Sequence, residues 1–211
     1  MSTVLPALPH LPLARLQSCR NEPLRALLLR QPAWAVVGPG QSQLDGERGI
    51  SCYRLARESF FVQVHWRWSG GQWHEQQFGI VPGTIVALRL VLDGADPQRI
   101  SQLLDLPPTR AFKKGDAVLH ARAVRDEGLW IHEVMPQGFH WPEEKVADLL
   151  GMLRGHPGWR EVLRLPGITW AGITVQLRGC IERMGGFALD PRLLEDLVGL
   201  SLQLDLEVIA E

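Results

Sequence analysis

The fold is decided by residues 84–106, which read TIVALRLVLDGADPQRISQLLDL. From position 86 to position 92 every even-numbered residue is Val or Leu, a period of two that predicts a strand with one face on a core. Asp96 can then cap a helix whose first residue is Pro97. The apolar residues of that helix have i, i+3, i+4 spacing: Ile100, Leu103 and Leu104. A strand leading into an amphipathic helix favours a layered fold, with helices on one face of a sheet.

The same two periods continue to the end of the chain. Strands are predicted at 117–124, 129–134 and 173–183, helices from Pro142 and from Asp190, and a short helix that ends near Leu165. A final strand is predicted to point four side chains inward: Leu202, Leu204, Leu206 and Val208. Residues 84–211 are therefore predicted to form an α+β domain, loosely ferredoxin-like, with helices packed on one face of a mainly antiparallel sheet.

Residues 1–83 are predicted to form a separate N-terminal part, which either packs on the main sheet or extends it. Short helices are predicted at 13–20 and 22–30, a short strand at 33–37 and a loop at 38–49. A β-meander follows, with strands at 50–56, 60–68 and 72–81. Its Gly70-Gly71 pair predicts a two-residue hairpin turn, which needs positive φ at both positions. Pairing across this turn places Trp68 opposite Trp73, and Trp66 opposite Glu75.

Composition excludes several classes of function. The chain has 211 residues and a net charge of −1, too little for strong attraction to nucleic acid or to an anionic membrane. Residues 1–83 hold 8 basic and 5 acidic residues (net +3), and residues 84–211 hold 14 and 18 (net −4). Three widely spaced cysteines form neither a disulfide framework nor a metal knuckle. We expect a cytoplasmic protein, a monomer or homodimer, without cofactor, secretory signal or transmembrane span.

The sequence contains no nucleophile elbow, HExxH motif, P-loop or zinc signature. The run AVVGPG at 35–40 starts like a dinucleotide fingerprint, but no helix pattern follows to bind the pyrophosphate. His65 and His74 are predicted on one face of the hairpin at diagonal positions; they are either weak metal-ligand candidates or two solvated histidines. Catalytic groups can still converge from distant positions, so the sequence disfavours an enzyme without excluding one.

Four groups of residues are candidates for binding, each with a structural alternative. Lys113, Lys114 and Asp116 lie in a loop that either holds a phosphate or acidic partner or is a simple turn. Arg89 and Arg178 lie on the polar side of their strands, where Asp205 and Glu207 also lie, and form either a solvated charge ladder or a binding surface. Three aromatic candidates, Trp66, Trp68 and Trp73, are either part of the core or a protein-binding hot spot. The fourth, Trp130, is predicted to be mostly buried and to anchor the lysine loop.

Several short motifs, in their order, resemble one protein family. They are LDLPPT at 104–109, Lys114-Gly115-Asp116, Gly128-Leu129-Trp130 and LDPRLLEDL at 189–197. Over residues 84–211 the chain resembles the bacterial "domain of unknown function 4279" family. The resemblance implies a small α+β domain and no established activity, so it assigns no catalytic residues.

The first functional hypothesis is therefore a non-enzymatic protein-binding module of the bacterial cytosol, for instance with an immunity or antitoxin-like role. The alternative is an enzyme or small-molecule sensor with a pocket between the N-terminal part and the α+β domain. A third is a structural homodimer formed through an open sheet edge.

Overall fold

A computed structural model describes residues 7–9, 14–15, 25, 36–55, 59–118, 123–134, 140–179 and 188–210. These residues contain two β-sheets and a layer of helices. The predicted helices at 13–20 and 22–30 lie almost wholly outside them, apart from Ala14, Arg15 and Arg25, which are helical. Trp34, Cys19 and Cys180 also lie outside the described residues.

The first sheet is an antiparallel meander in the order β1-β2-β3-β4. Its strands are β1 (Val36–Asp45), β2 (Arg48–Leu55), β3 (Phe61–Ser69) and β4 (Gln72–Val81). The predicted loop at 38–49 is wrong, because most of it is β1 and the turn is confined to the two residues before β2. β1 is an edge strand held by backbone pairing to β2, with irregular register around Pro39. An edge strand of this polar composition gives no alternating apolar signal to read.

The β3–β4 hairpin confirms the prediction from Gly70-Gly71. Both glycines have positive φ, 60° and 82°, as a tight hairpin turn requires. Trp68 pairs with Trp73, and Trp66 with Glu75, in the predicted register. A bulge between His65 and Trp66 shifts the pairing beyond that point.

The second sheet has the order β6-β7-β5-β8-β9. Its strands are β5 (Gly83–Leu92), β6 (Arg110–Phe112), β7 (Gly128–Val134), β8 (Ile168–Gly179) and β9 (Gln203–Ala210). All pairs are antiparallel except β8–β9, which is parallel. The mainly antiparallel α+β architecture is therefore confirmed. β5 begins against the meander: a Cβ on Gly83 would lie 1.5 Å from the Ser59 carbonyl oxygen, so only glycine fits there.

Two strands of this sheet differ in position from the strands predicted from the sequence. Of the predicted strand at 117–124, the described residues form only an isolated antiparallel bridge between Ala117 and Val124, and residues 119–122 lie outside the described part of the chain. The neighbour of β7 is the three-residue strand β6, too short to show any periodicity. β8 starts at Ile168, five residues before the predicted start, and residues 180–183 of the predicted strand lie outside the described part of the chain.

Helices cover one face of this sheet. They are α1 (Pro97–Leu104), α2 (Pro142–Arg154), α3 (Trp159–Leu163) and α4 (Pro191–Gly199). Both Asp-Pro starts are confirmed: the Asp96 side chain accepts a hydrogen bond from Gln98 N, and Asp190 accepts one from Leu193 N. The main core lies between this layer and the even-numbered residues of β5, with buried members from every helix: Ile100, Leu104, Val146, Leu149, Leu150, Leu153, Trp159, Val162 and Leu197.

The prediction for β9 was wrong in an informative way. Leu202, just before the strand, is buried, but Leu204, Leu206 and Val208 are 40%, 50% and 55% exposed. These three side chains pair with core residues of β8, so they point to the helix side as predicted. β9 is the outermost strand, however, and the described helices leave these three side chains partly exposed. The alternation of apolar residues correctly predicted which face of the sheet these side chains lie on, but not whether they are buried.

Candidate functional site

The tryptophans of the meander divide into one core residue and one accessible pair. Trp66 is only 5% exposed, and its Nε1 donates a hydrogen bond to the buried Ser51 Oγ at 3.1 Å. Trp68 and Trp73 are half-buried and pack edge to face, with ring centroids 5.2 Å apart. Opposite Trp66, the Glu75 carboxylate forms an ion pair with Arg15. Trp66 is therefore part of the core, and its neighbours keep some accessible ring surface.

The two histidines of the hairpin each have a local partner. His65 Nε2 lies 3.1 Å from Gln63 Oε1, and His74 Nε2 lies 3.1 Å from the Ser69 carbonyl oxygen. Across the described residues, no group of three or more His, Cys, Asp or Glu side chains is arranged to hold a metal ion. The structure thus adds no third ligand to the predicted pair.

The lysine loop is held by contacts within the chain. Asp116 Oδ2 accepts a hydrogen bond from Lys113 N at 2.6 Å, and the Gly between them has φ of 87°. Lys113 Nζ is 3.1 Å from Asp96 Oδ1, and Lys114 Nζ is 2.8 Å from Asp93 Oδ1. Hydrogen bonding to Lys113 lowers the pKa of Asp96, and the bond to Asp93 raises the pKa of Lys114. Both lysines thus form ion pairs with carboxylates of the segment between β5 and α1. These contacts favour the interpretation of residues 113–116 as a structural turn over that of a phosphate site.

Trp130 is fully buried, at 0% exposure, so it cannot contact a partner directly. Its Nε1 donates to Ser101 Oγ at 3.0 Å, and its ring stacks on His132. The hydrogen bond of this side chain leads to α1, whereas the lysine loop is held by Asp93 and Asp96. Trp130 therefore joins β7 to the helix layer. Its predicted anchoring of the lysine loop stays a prediction, and the two carboxylates are the ion-pair partners of the loop.

The most apolar exposed surface was not predicted from the sequence. Among the described residues, six large hydrophobic side chains are exposed, and five of them belong to α4 and β9. We call these five residues the edge surface: Leu194, Val198, Leu204, Leu206 and Val208.

The geometry of α4 shows why the helix part of the edge surface lies beside β9. Leu197 is buried against the sheet, and Asp196 forms an ion pair with Arg154 of α2. At 100° per residue, positions 194 and 198 are about 200° from position 196. They therefore lie on the flank of α4 that faces away from α2, and α4 itself contacts β9.

The second feature is the polar face, the side of the five-stranded sheet opposite the helices. Arg89 on β5 points here, with Nη1 3.7 Å from Asp205 Oδ2 and 3.8 Å from Glu207 Oε1. The predicted proximity of these charges is confirmed. Arg89 also lies 5.6 Å from the centroid of the Trp170 ring. That ring crosses Gly172, where a Cβ would come within 2.4 Å of it.

A cavity of about 380 Å³ opens on the polar face. Its walls come from all five strands: Ile85, Ala87, Arg89, Arg110, Leu129, Ile131, Glu133, Thr174, Gln176, Arg178 and Glu207. Arg178 Nη2 donates to Gln176 Oε1 at 3.1 Å. The structure thus brings together the predicted pair Arg89 and Arg178 and adds Arg110. Arg110 was missed because it lies on the short β6.

Comparison with other proteins identifies the family and nothing more specific. No curated protein and no solved structure matches the chain. In the described part of the chain, no helix has the length and apolarity needed to cross a bilayer. One family model, described as Domain of unknown function (DUF4279), matches residues 82–211, more than half of the 211 residues. That match spans β5 to β9 with the helices between them, and the chain belongs to this family.

Proposed function

We propose that this protein is a non-enzymatic protein-binding module whose partner docks on the edge surface. The observation that carries the proposal is the clustering of five exposed hydrophobic side chains on α4 and β9. Contiguous apolar patches on a soluble protein mark interaction sites more often than scattered ones. An immunity or antitoxin-like role, in which the module blocks its partner by covering it, is one concrete form of this proposal.

The backbone of β9 supports a strand as the docking element. In the described residues β9 pairs with β8 alone, so its other side presents unpaired N–H and C=O groups. Such an edge accepts an additional strand, with main-chain hydrogen bonds supplying affinity and alternate side chains supplying specificity. An added strand would also place its inward side chains against Leu204, Leu206 and Val208.

The side chains on the other face of β9 indicate the chemistry of that partner. Asp205 and Glu207 point to the polar face, where the single guanidinium of Arg89 lies near both carboxylates. One positive charge between two negative charges leaves this stretch net acidic. A strand with apolar residues on one face and Lys or Arg on the other complements both faces of β9.

A second copy of this chain fits less well. Antiparallel pairing of two β9 strands about a two-fold axis, centred on Leu206 so that the apolar rows overlap fully, places Asp205 opposite Glu207 of the other copy. Like charges directly opposite each other destabilise a strand pair. We therefore commit to a foreign strand of alternating apolar and basic residues as the occupant.

The test uses synthetic peptides and the full-length protein. A peptide of alternating valine and lysine should bind, and a matched peptide of valine and glutamate should bind more weakly, as measured by fluorescence anisotropy. Leu206→Asp and Val198→Asp should weaken binding of the lysine peptide by more than about tenfold, the scale of losing a central apolar anchor. Val124→Asp is the matched control, since Val124 is 61% exposed outside the edge surface.

Three results would overturn the proposal. Equal affinity of the three variants would show that the edge surface does not bind the peptide. Equal affinity of the two peptides would remove the charge argument. A dimer in sedimentation that Leu206→Asp dissociates would identify a second copy as the occupant.

A further inference from the structure

We propose that the cavity on the polar face is a binding site for an oxyanion, the carboxylate or phosphate group of a small molecule. The five residues of the edge surface do not line this cavity, although Glu207, which the proposed strand would face, is part of its wall. Three arginines from three different strands line it: Arg89, Arg110 and Arg178. Guanidinium groups bind carboxylates and phosphates through paired N–H donors, and arginine is the residue most used for this purpose.

Three buried side-chain atoms of residues that line the cavity have no hydrogen-bond partner among the described residues: Arg89 Nε, Arg178 Nε and Thr174 Oγ1. Buried donors of this kind are nearly always satisfied in folded proteins, so each one requires an explanation. All three belong to residues that line the same cavity. Among the described residues, the buried side-chain atoms without a partner therefore all belong to the wall of this cavity, where polar groups of a ligand would lie nearest to them.

The floor of the cavity explains why there is space for a ligand. Ala87 and Thr174, which are small and buried, pair across the two central strands. In the strand register, Arg89 lies beyond one end of this pair, opposite Gly172, and Arg178 lies beyond the other, opposite Gly83. Long side chains at both ends of a floor of small residues enclose a volume of about 380 Å³, within the range of small-molecule sites.

The charges around the cavity favour an anion that also has an apolar part. Three arginines and two glutamates, Glu133 and Glu207, line it. Asp205 and Glu207 are 3.7–3.8 Å from Arg89, beyond hydrogen-bond distance, so they neutralise its charge only in part. Arg110 and Arg178 form no ion pair with a carboxylate within the described ranges. The remaining walls are aliphatic: Ile85, Leu129 and Ile131.

A solvated ladder of surface charges does not account for these features. In such a ladder each guanidinium is hydrogen-bonded to a carboxylate or to water. The contribution of each exposed ion pair to the stability of the fold is then small. Here two Nε atoms are removed from solvent without any acceptor. These two atoms favour the interpretation of Arg89 and Arg178 as a binding surface over that of a solvated ladder.

The experiment measures thermal unfolding and calorimetric binding of the full-length protein with two probes, inorganic phosphate and benzoate. Sodium chloride at matched ionic strength is the baseline. A ligand of the folded state raises the unfolding temperature progressively with concentration. Stabilisation by benzoate alone would identify a small organic acid, and stabilisation by phosphate alone a phosphorylated ligand. Both outcomes support an oxyanion site.

The variants assign the binding to the cavity. Arg89→Gln and Arg178→Gln should each weaken binding of the effective probe by about tenfold or more, because each removes charge-assisted hydrogen bonds. Arg99→Gln, an exposed arginine on α1, is the matched control and should bind as wild type. Thr174→Val preserves the shape of the side chain and loses no internal hydrogen bond. It should fold normally and still bind more weakly.

The proposal fails if neither probe stabilises the protein above the chloride baseline at concentrations of about 10 mM, the range of weak anion binding. It also fails if the Thr174 and arginine variants bind the probe as tightly as Arg99→Gln does, because the stabilisation would then be a general salt effect. Neither result bears on peptide binding at the edge surface, so the two proposals can fail separately.

Discussion

Replacing Trp130 with alanine should be among the most damaging single changes in the second sheet. The indole is fully buried, lies between Leu90 on β5 and Ala111 on β6, and donates a hydrogen bond to Ser101. Truncation of a buried tryptophan to alanine costs about 3–5 kcal/mol through lost contacts and the cavity left behind. About 1 kcal/mol of this is expected from the hydrogen bond to Ser101 Oγ.

Urea denaturation followed by far-ultraviolet circular dichroism measures this cost without relying on tryptophan fluorescence. Trp130→Phe, which keeps an aromatic ring but loses the N–H, should cost less than Trp130→Ala. Ser101→Ala should cost about 1–3 kcal/mol, because it leaves the buried indole N–H without an acceptor. A loss under about 1 kcal/mol for Trp130→Ala would refute the reasoning, since no fully buried, well-packed tryptophan should be so easily removed.

Two further predictions concern ionisable side chains. Burial raises the pKa of the Cys52 thiol to about 12. In a Cys19→Ser/Cys180→Ser variant, an alkylating reagent should therefore label Cys52 only after the protein unfolds. Rapid labelling of the native variant would contradict this prediction. Lys113 lowers the pKa of Asp96 below its ordinary value of 3.8, so the ion pair stabilises the fold above that value and its contribution is lost as pH falls through the lowered pKa. The stability difference between wild type and Lys113→Met should therefore shrink toward acid pH in urea titrations, and a pH-independent difference would count against the ion pair.

Local chemistry made part of the fold predictable. Gly70-Gly71 specifies the hairpin because few other residues adopt positive φ at two consecutive positions. Asp96-Pro97 and Asp190-Pro191 specify helix starts because the carboxylate satisfies free backbone N–H groups and proline needs no donor there. These signals depend on neighbouring residues in the chain, so they can be read without knowing the tertiary structure.

Features that depend on distant neighbours were not predictable in the same way. The alternation of β9 predicts which side chains share a face, but whether Leu206 is buried depends on how far the helix layer extends. The grouping of Arg89 with Arg178 followed from their position on the polar side of their strands. Arg110 joins them only because the short β6 pairs with β7, a tertiary contact that leaves no periodic signal.

The alternation of β9 has a consequence for how the protein could respond to two ligands. One face of this strand contributes to the edge surface, and the other carries the carboxylates that lie near Arg89. An oxyanion bound to Arg89 would draw the guanidinium from Asp205 and Glu207, which would then attract a basic strand at the edge more strongly. Because coupling between two sites is reciprocal, the docked strand would raise the affinity for the oxyanion by the same factor. If both proposals hold, this single strand of eight residues links the bound oxyanion to the docked partner.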